Sequence, residues 1–369
     1  MNIGIDARFY RASTAGLGRY TRGLLHELVK LDRKNNYTVF ITSDDEKEYD
    51  INASNFTKVV VPIIHYSLKE QINFCAILNK YQLDLMHFLN FNHPILYRKP
   101  FIATIHDLTM LLFPIGRSQK SILRKAAFKM VMKNAVTKSK YAIAVSEATK
   151  KDCIKYLGAK PEKIKVIYEA YDAMYHPNYS QEEINKVLSK YQINKPYLLF
   201  VSQWRPHKGL PELIKAFALL KAKFQIPHEL VITGKANKDF PNVISAINNS
   251  KFKKNIITPG FVAEKELPLL YRGSTAFIFP SFYEGFGLGG LEAMACGTPV
   301  ISSNISSLPE IFGNAAIYFN PNNILEMAKI IFDTISNKTL LNKMSKLGMQ
   351  KSQQYSWRKM AKETLNLYK

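Results

Sequence analysis

The stretch from Ser274 to Pro309, with PSFYEGFGLGGLEAMACGTPVISS at its centre, leaves this chain few ways to fold. Ala276–Phe279 is a short apolar run closed by Pro280, the pattern of a buried strand. Glu284-Gly285-Phe286-Gly287 reads as a glycine-containing loop, Leu288 to Ala295 as a helix stopped by Gly297, and Thr298–Ser302 as the next strand. Strand, loop, helix and strand make one βαβ unit, whose loop lies at the carboxyl edge where parallel sheets bind ligands. Amides at Gly285, Phe286, Gly287 and Leu288, where that helix begins, suit a phosphate.

Two acids frame the loop. Glu284 comes from its tip, and Glu292 lies about one turn inside the helix. Taken singly, Glu284 reads as a solvated loop residue and Glu292 as an exposed helix residue. The apolar neighbours of Glu292, Leu291-Glu292-Ala293-Met294-Ala295, favour a bound ligand as its partner, because an unpaired acid is costly to bury.

The remaining chain repeats the same rhythm. Ile3–Ala7 is a strand followed by Gly16 and Gly18 and then a helix with Leu24, Leu25, Leu28 and Leu31 on one face. The two glycines are read either as a tight turn or as a close approach to phosphate. The third glycine of a dinucleotide fingerprint is missing, which weakens an NAD-binding reading. Further strands are expected at Tyr37–Ile41, Val59–Ile64, Leu85–Leu89, Phe101–Ile105 and Tyr141–Val145. This alternation predicts parallel sheets covered on both faces. His106 stands at the carboxyl end of one such strand, read either as a structural histidine or as a site residue oriented by Asp107.

After a turn-rich segment near residue 175 a second half begins with Tyr197–Val201. Arg205 and Lys208 follow that strand, and two cations at such a mouth suit a diphosphate. Leu230–Thr233 ends in Gly234, where a nucleotide can approach the backbone.

The Glu284–Glu292 segment resembles the donor-binding signature of retaining GT-B glycosyltransferases of family 4, the family of many bacterial mannosyltransferases, whose hallmark is two glutamates with seven residues between them. The resemblance extends over nearly the whole chain. It implies an α/β fold of two Rossmann-like domains with parallel sheets facing across a cleft. An acceptor-binding domain is expected over 1–175, a donor-binding domain over 176–354, and a last helix, 355–369, crossing back to the first. It also implies that His106 meets the donor sugar and acceptor, that Gly16 and Gly18 approach the donor phosphate, and that Arg205 and Lys208 neutralise the leaving diphosphate. In many members the arginine lies where this chain has Gln203. Main-chain groups near Val262 would read the base, Glu284 the sugar hydroxyls, and Glu292 the ribose. Gly289 stands where such sequences often carry proline. The implied reaction is retaining hexosyl transfer, with mannose from GDP-mannose as the first reading, to a lipid-linked or oligosaccharide acceptor of O-antigen, capsule or lipopolysaccharide. A UDP-sugar-dependent transferase and a sugar-nucleotide epimerase of the same shape are the alternatives. No cofactor is expected, since the nucleotide sugar is a co-substrate. No metal is expected either, because cations and amides hold the diphosphate and no Asp-x-Asp is present.

The chain has 369 residues, 47% of them hydrophobic, enough for two packed domains, and a net charge of +22. Three separated cysteines suggest neither disulfides nor a zinc site, and point to the cytoplasm. Residues 117–140 hold eight cations and no acid, among apolar residues at helical spacing. This reads either as a packed helix with a solvated face or as peripheral contact with the anionic inner membrane. No nucleic-acid-binding signature accompanies the charge, so nucleic acid is not an expected partner.

Overall fold

The computed structural model describes residues 1–63, 65–114 and 121–369. The chain divides into two compact units. The first comprises Met1–Leu112, Ser121–Ala170 and Tyr355–Lys369; the second comprises Tyr171–Gln354 and a short stretch beginning at Phe113. The changeover at Ala170 precedes the sequence expectation near 175.

The first unit is built on a seven-stranded parallel sheet. Its strands are β1 (Asn2–Asp6), β2 (Asn36–Ile41), β3 (Phe56–Val60), β4 (Leu85–Phe88), β5 (Phe101–Ile105), β6 (Tyr141–Ala144) and β7 (Ile164–Val166), in the order β3-β2-β1-β4-β5-β6-β7. The strand expected to run on to Ile64 stops at Val60, and Ile64 lies outside the described residues. β4 and β5 are buried at every position, because helices cover both faces and reward continuous apolar runs. The helix Gly16–Leu31 buries Tyr20, Leu24, Leu25 and Leu28 against Ile3 and Ile5.

The last helix, Trp357–Tyr368, joins this unit's core through Met360, Ala361 and Tyr368. Its Trp357 ring occupies the space a side chain at Gly23 would need. A buried hydrogen-bond chain ties it to the sheet. The Tyr368 hydroxyl lies 2.7 Å from His87 Nδ1, Thr104 Oγ1 lies 3.0 Å from His87 Nε2, and the Tyr20 hydroxyl is 3.1 Å from Thr104.

The second unit holds a six-stranded parallel sheet of β8 (Tyr197–Val201), β9 (Glu229–Thr233), β10 (Ile256–Gly260), β11 (Ala276–Phe279), β12 (Val300–Ser303) and β13 (Ala316–Phe319), in the order β10-β9-β8-β11-β12-β13. Leu198, Phe200, Ile232 and Ile278 form its core with Leu213 and Phe217 of the helix Leu210–Lys223. In both units the first strand is central and the connections run outward to either side. The order therefore reverses between β1 and β4, and again between β8 and β11. In open α/β sheets such a reversal leaves a crevice at the carboxyl ends, the usual seat of a ligand.

The helix expected within 117–140 is Ile122–Lys138, and Arg117 and Lys120 lie outside the described residues. Its apolar residues do not form one packed face. Met132, Ala135 and Val136 are buried, whereas Ile122 is 84% and Leu123 82% exposed.

Candidate functional site

The crevice of the second unit is lined by the loops leaving β8 and β11. Two contacts hold these loops together, and a third ties the β8 loop to β9. Gly209, at φ 64°, lies against the Pro280 carbonyl where any Cβ would clash. The Phe282 amide donates to the His207 carbonyl at 2.7 Å, and the Trp204 indole donates to Thr233 at the end of β9. His207 is buried, and burial, followed by the charges of Lys208 and Arg205, pushes its pKa down to about 2.

Lys208 and Glu284 meet here. The ammonium is 2.7 Å from Oε1 of Glu284, and the Ser281 hydroxyl donates to the same oxygen at 2.6 Å. Their side chains are 16% and 11% exposed, so the pair sits at the rim of the crevice. Arg205 is half-buried beside them, and its guanidinium has no hydrogen-bond or ion-pair partner among the described residues.

The loop carrying Glu284 is clamped from behind. Ser306 and Ser307 donate their hydroxyls to the Glu284 carbonyl at 2.7 and 3.0 Å, and Ser307 also reaches the Phe286 carbonyl. Gly285 and Phe286 are buried under this clamp. Gly287 turns into the helix Leu288–Ala295 at φ 106°, with Leu308 and Phe312 so close that a Cβ would lie 2.7 Å from Leu308. The Gly287 carbonyl accepts the amides of Gly290 and Leu291. Those of Leu288 and Gly289 have no acceptor among the described residues, and they open the helix with donors facing outward.

Glu292 is only 2% exposed. The sequence argument invoked a ligand because burial of an unpaired acid is costly, and here the structure corrects it. Tyr271, on the helix Leu267–Gly273, donates its hydroxyl to Glu292 Oε2 at 3.2 Å, so the protein itself supplies a partner. Gly234 follows β9 with its Cα against the Ser202 carbonyl, and its amide donates to Gly260. Val262 is buried just beyond β10. Arg205, Lys208, Gly234, Val262, Glu284, Gly285, Phe286, Gly287, Leu288 and Glu292 thus belong to one unit, on or just beyond the carboxyl ends of β8 to β11.

The remaining expected residues lie in the first unit. Gly16 opens its helix with empty space where a Cβ would stand, and Gly18 lies against the carbonyls of Arg11 and Phe9. His106 follows β5, but Asp107 does not orient it. Asp107 accepts the Thr109 amide at 2.7 Å, and the His106 ring instead contacts Glu169, from the segment after β7, and the Leu89 carbonyl.

Sequence reasoning missed Ser281, Tyr271, Ser306, Ser307 and Glu169. Each reaches its partner through tertiary structure, and only Ser281 lies close enough to its acid for local spacing to suggest the bond. Among the described residues no group of three acid, histidine or cysteine side chains is placed to hold a metal ion, and no helix is long and apolar enough to cross a membrane.

The chain is similar to known proteins over nearly its whole length. Residues 14–174 match the model of Glycosyltransferase Family 4, and residues 180–351 match Glycosyl transferases group 1. An O-antigen chain mannosyltransferase B of Escherichia coli is 26% identical, over 96% of both chains. A serotype-specific mannosyltransferase of Escherichia coli, WbdA, is 27% identical over 69% of this chain, which spans 32% of that longer protein. Among solved structures, Anabaena HepE in complex with UDP and glucose superposes with a TM-score of 0.77 at 19% identity, over 100% of this chain and 99% of that one.

Proposed function

The chain belongs to the family 4 glycosyltransferases, and from that premise we propose that it carries a hexose from a nucleoside diphosphate sugar to a hydroxyl of a lipid-linked or oligosaccharide glycan in surface polysaccharide assembly. The first donor reading is GDP-mannose, supported by the mannosyltransferases among its relatives. A UDP-hexose is the second, supported by the UDP and glucose bound to the Anabaena neighbour.

The observation that carries the proposal is the crevice of the second unit. A guanidinium and two helix amides with no partner among the described residues, and an ammonium held there by a single carboxylate, lie on the loops flanking one sheet reversal. Such donors suit a diphosphate. In the proposed step the acceptor oxygen attacks the anomeric carbon from the face the diphosphate leaves. The bond from that carbon to the β-phosphate oxygen breaks, and the acceptor proton passes to the departing phosphate. Arg205, Lys208 and the Leu288 and Gly289 amides stabilise the charge that develops there. Glu284, released from Lys208, takes the sugar hydroxyls, and Glu292 with Tyr271 takes the ribose. On this reading the cations and amides do the work of a metal, so transfer proceeds in a chelator.

We further propose peripheral attachment to anionic lipid on the cytoplasmic side through the helix Ile122–Lys138. Its exposed Ile122 and Leu123 stand beside Lys125 and Lys129. Flotation with anionic vesicles tests it, and the contact should disappear when Lys125, Lys129 and Lys133 become Glu.

The function is tested by a thermal-shift panel of GDP, UDP, ADP and TDP, followed by transfer assays with the matching sugars. Stabilisation by none of the four, together with no transfer, would refute the donor site.

A further inference from the structure

His106 is held between two oxygens. Its Nδ1 lies 2.6 Å from Glu169 Oε1, and its Nε2 lies 2.8 Å from the Leu89 carbonyl. The carbonyl can only accept a hydrogen bond, and so can an ionised Glu169. With either neutral tautomer, one ring nitrogen would point a lone pair at an oxygen. The ring has little freedom to escape this arrangement. Its side chain is 13% exposed, and the Tyr20 ring meets it edge to face at a centroid distance of 4.7 Å.

We infer that Glu169 is the positioning residue of His106, fixing it as a doubly protonated imidazolium that cannot act as a base. This rests on the reading of the chain as a glycosyltransferase only for its mechanistic consequence. If His106 has no lone pair to offer, it cannot receive the acceptor's proton. It contributes positive charge and shape, and the proton must leave by the phosphate.

The charges around the ring agree. Burial works to lower its pKa, but the hydrogen bond and charge of Glu169, then the Leu89 carbonyl and Asp107, together raise it above the ordinary histidine value. His87, on the neighbouring strand, does not compete as a cation, since burial, with His106 nearby, pushes it down to about 3. Tyr20 and Thr104, which also approach from packed elements, stay neutral in this range, and burial raises the Tyr20 phenol further. The separation between acid and histidine is 63 residues, so nothing in the local sequence pairs them.

The test is long-range proton–nitrogen NMR on the full chain labelled at histidine nitrogen, with His106→Gln identifying the resonances. In the native protein both His106 nitrogens should be protonated at neutral pH, with titration above the ordinary histidine value. In Glu169→Gln the titration should move down, and Glu169→Asp should restore part of the shift. With a donor and acceptor in hand, Glu169→Gln should lower kcat roughly tenfold to a hundredfold, as loss of an orienting partner typically does. The loss should deepen as pH rises, with little change in KM for the donor. A native spectrum with only one protonated nitrogen at neutral pH would overturn the inference, because Glu169 would then be the protonated partner. So would an unchanged titration in Glu169→Gln. The NMR result stands whether or not any donor is turned over, so failure of the inference and failure of the transferase reading remain distinct.

Discussion

Glu284 holds Lys208 in an ion pair, and on the proposed reading an incoming diphosphate displaces it. Changing Glu284 to Gln should therefore tighten nucleoside diphosphate binding while impairing transfer. The Lys208–Glu284 contact is a charge-assisted hydrogen bond of 2.7 Å between side chains 16% and 11% exposed. Hydrogen bonds to charged groups typically contribute about 1.5–3 kcal/mol, and neutral ones about 1. Replacing carboxylate by amide thus removes roughly 1 kcal/mol of competition, and removes a negative charge next to the incoming phosphates. The Ser281 hydroxyl can donate to the Gln oxygen as it does to the carboxylate, so the loop keeps its anchor. The dissociation constant for the preferred nucleoside diphosphate should fall by roughly threefold to tenfold. Turnover of the intact nucleotide sugar should fall, because the acid that would take its hydroxyls is gone. Lys208→Met should act oppositely on binding and weaken the diphosphate at least tenfold. Isothermal titration with the nucleoside diphosphate, at matched ionic strength, measures both. Unchanged or weaker binding in Glu284→Gln would refute the exchange of partners on which the argument rests.

Three further outcomes are expected. Ala15, ahead of Gly16, holds φ 53° and ψ −127°, a conformation costly for any residue with a Cβ. Ala15→Gly should stabilise the protein by about 1 kcal/mol in urea unfolding once the added chain entropy of glycine is offset, and a loss of stability would contradict the assigned backbone. Gly23→Ala would place a methyl 2.8 Å from Cε2 and Cε3 of Trp357. It should cost about 1–3 kcal/mol despite better helix propensity, and equal stability would mean the last helix does not seat there. Acid should destabilise the fold. Burial holds His87 down to about 3 and His207 to about 2, and lowers His65, His93 and His228 as well. The unfolded chain binds protons near pH 6.5 more readily than these five do, so each withdraws up to about 1.4 kcal/mol per pH unit below that value. His106 runs the other way. Its raised pKa gives stability present below pH 6.5 and lost as pH rises through its folded value. With five groups against one, the urea midpoint should fall between pH 7 and 5, and a flat or rising profile would refute the assignment.

Much of this molecule was legible in the chain alone. Continuous apolar runs such as Tyr197–Val201 and Ala276–Phe279 can only be strands covered on both faces. The glycine-bounded helix after Glu284 is where the pattern placed it, because Gly287 takes a backbone angle that other residues resist. The fully buried strands, the parallel sheets and the loops at their carboxyl ends all follow from local rules of burial and turn geometry.

The partners of the charged groups do not. Glu169 reaches His106, Tyr271 reaches Glu292 and Lys208 reaches Glu284 across separations of 63, 21 and 76 residues. Asp107, the nearest acid in sequence to His106, turns instead to a helix amide. Likewise the even scatter of lysines through residues 122–138 hid that Ile122 and Leu123 stand open to solvent. Which residues form strands and turns is decided within a few residues, by burial periodicity and backbone sterics. Which oxygen a given nitrogen meets depends on the order in which strands lie side by side, and that order exists only once the sheets have formed.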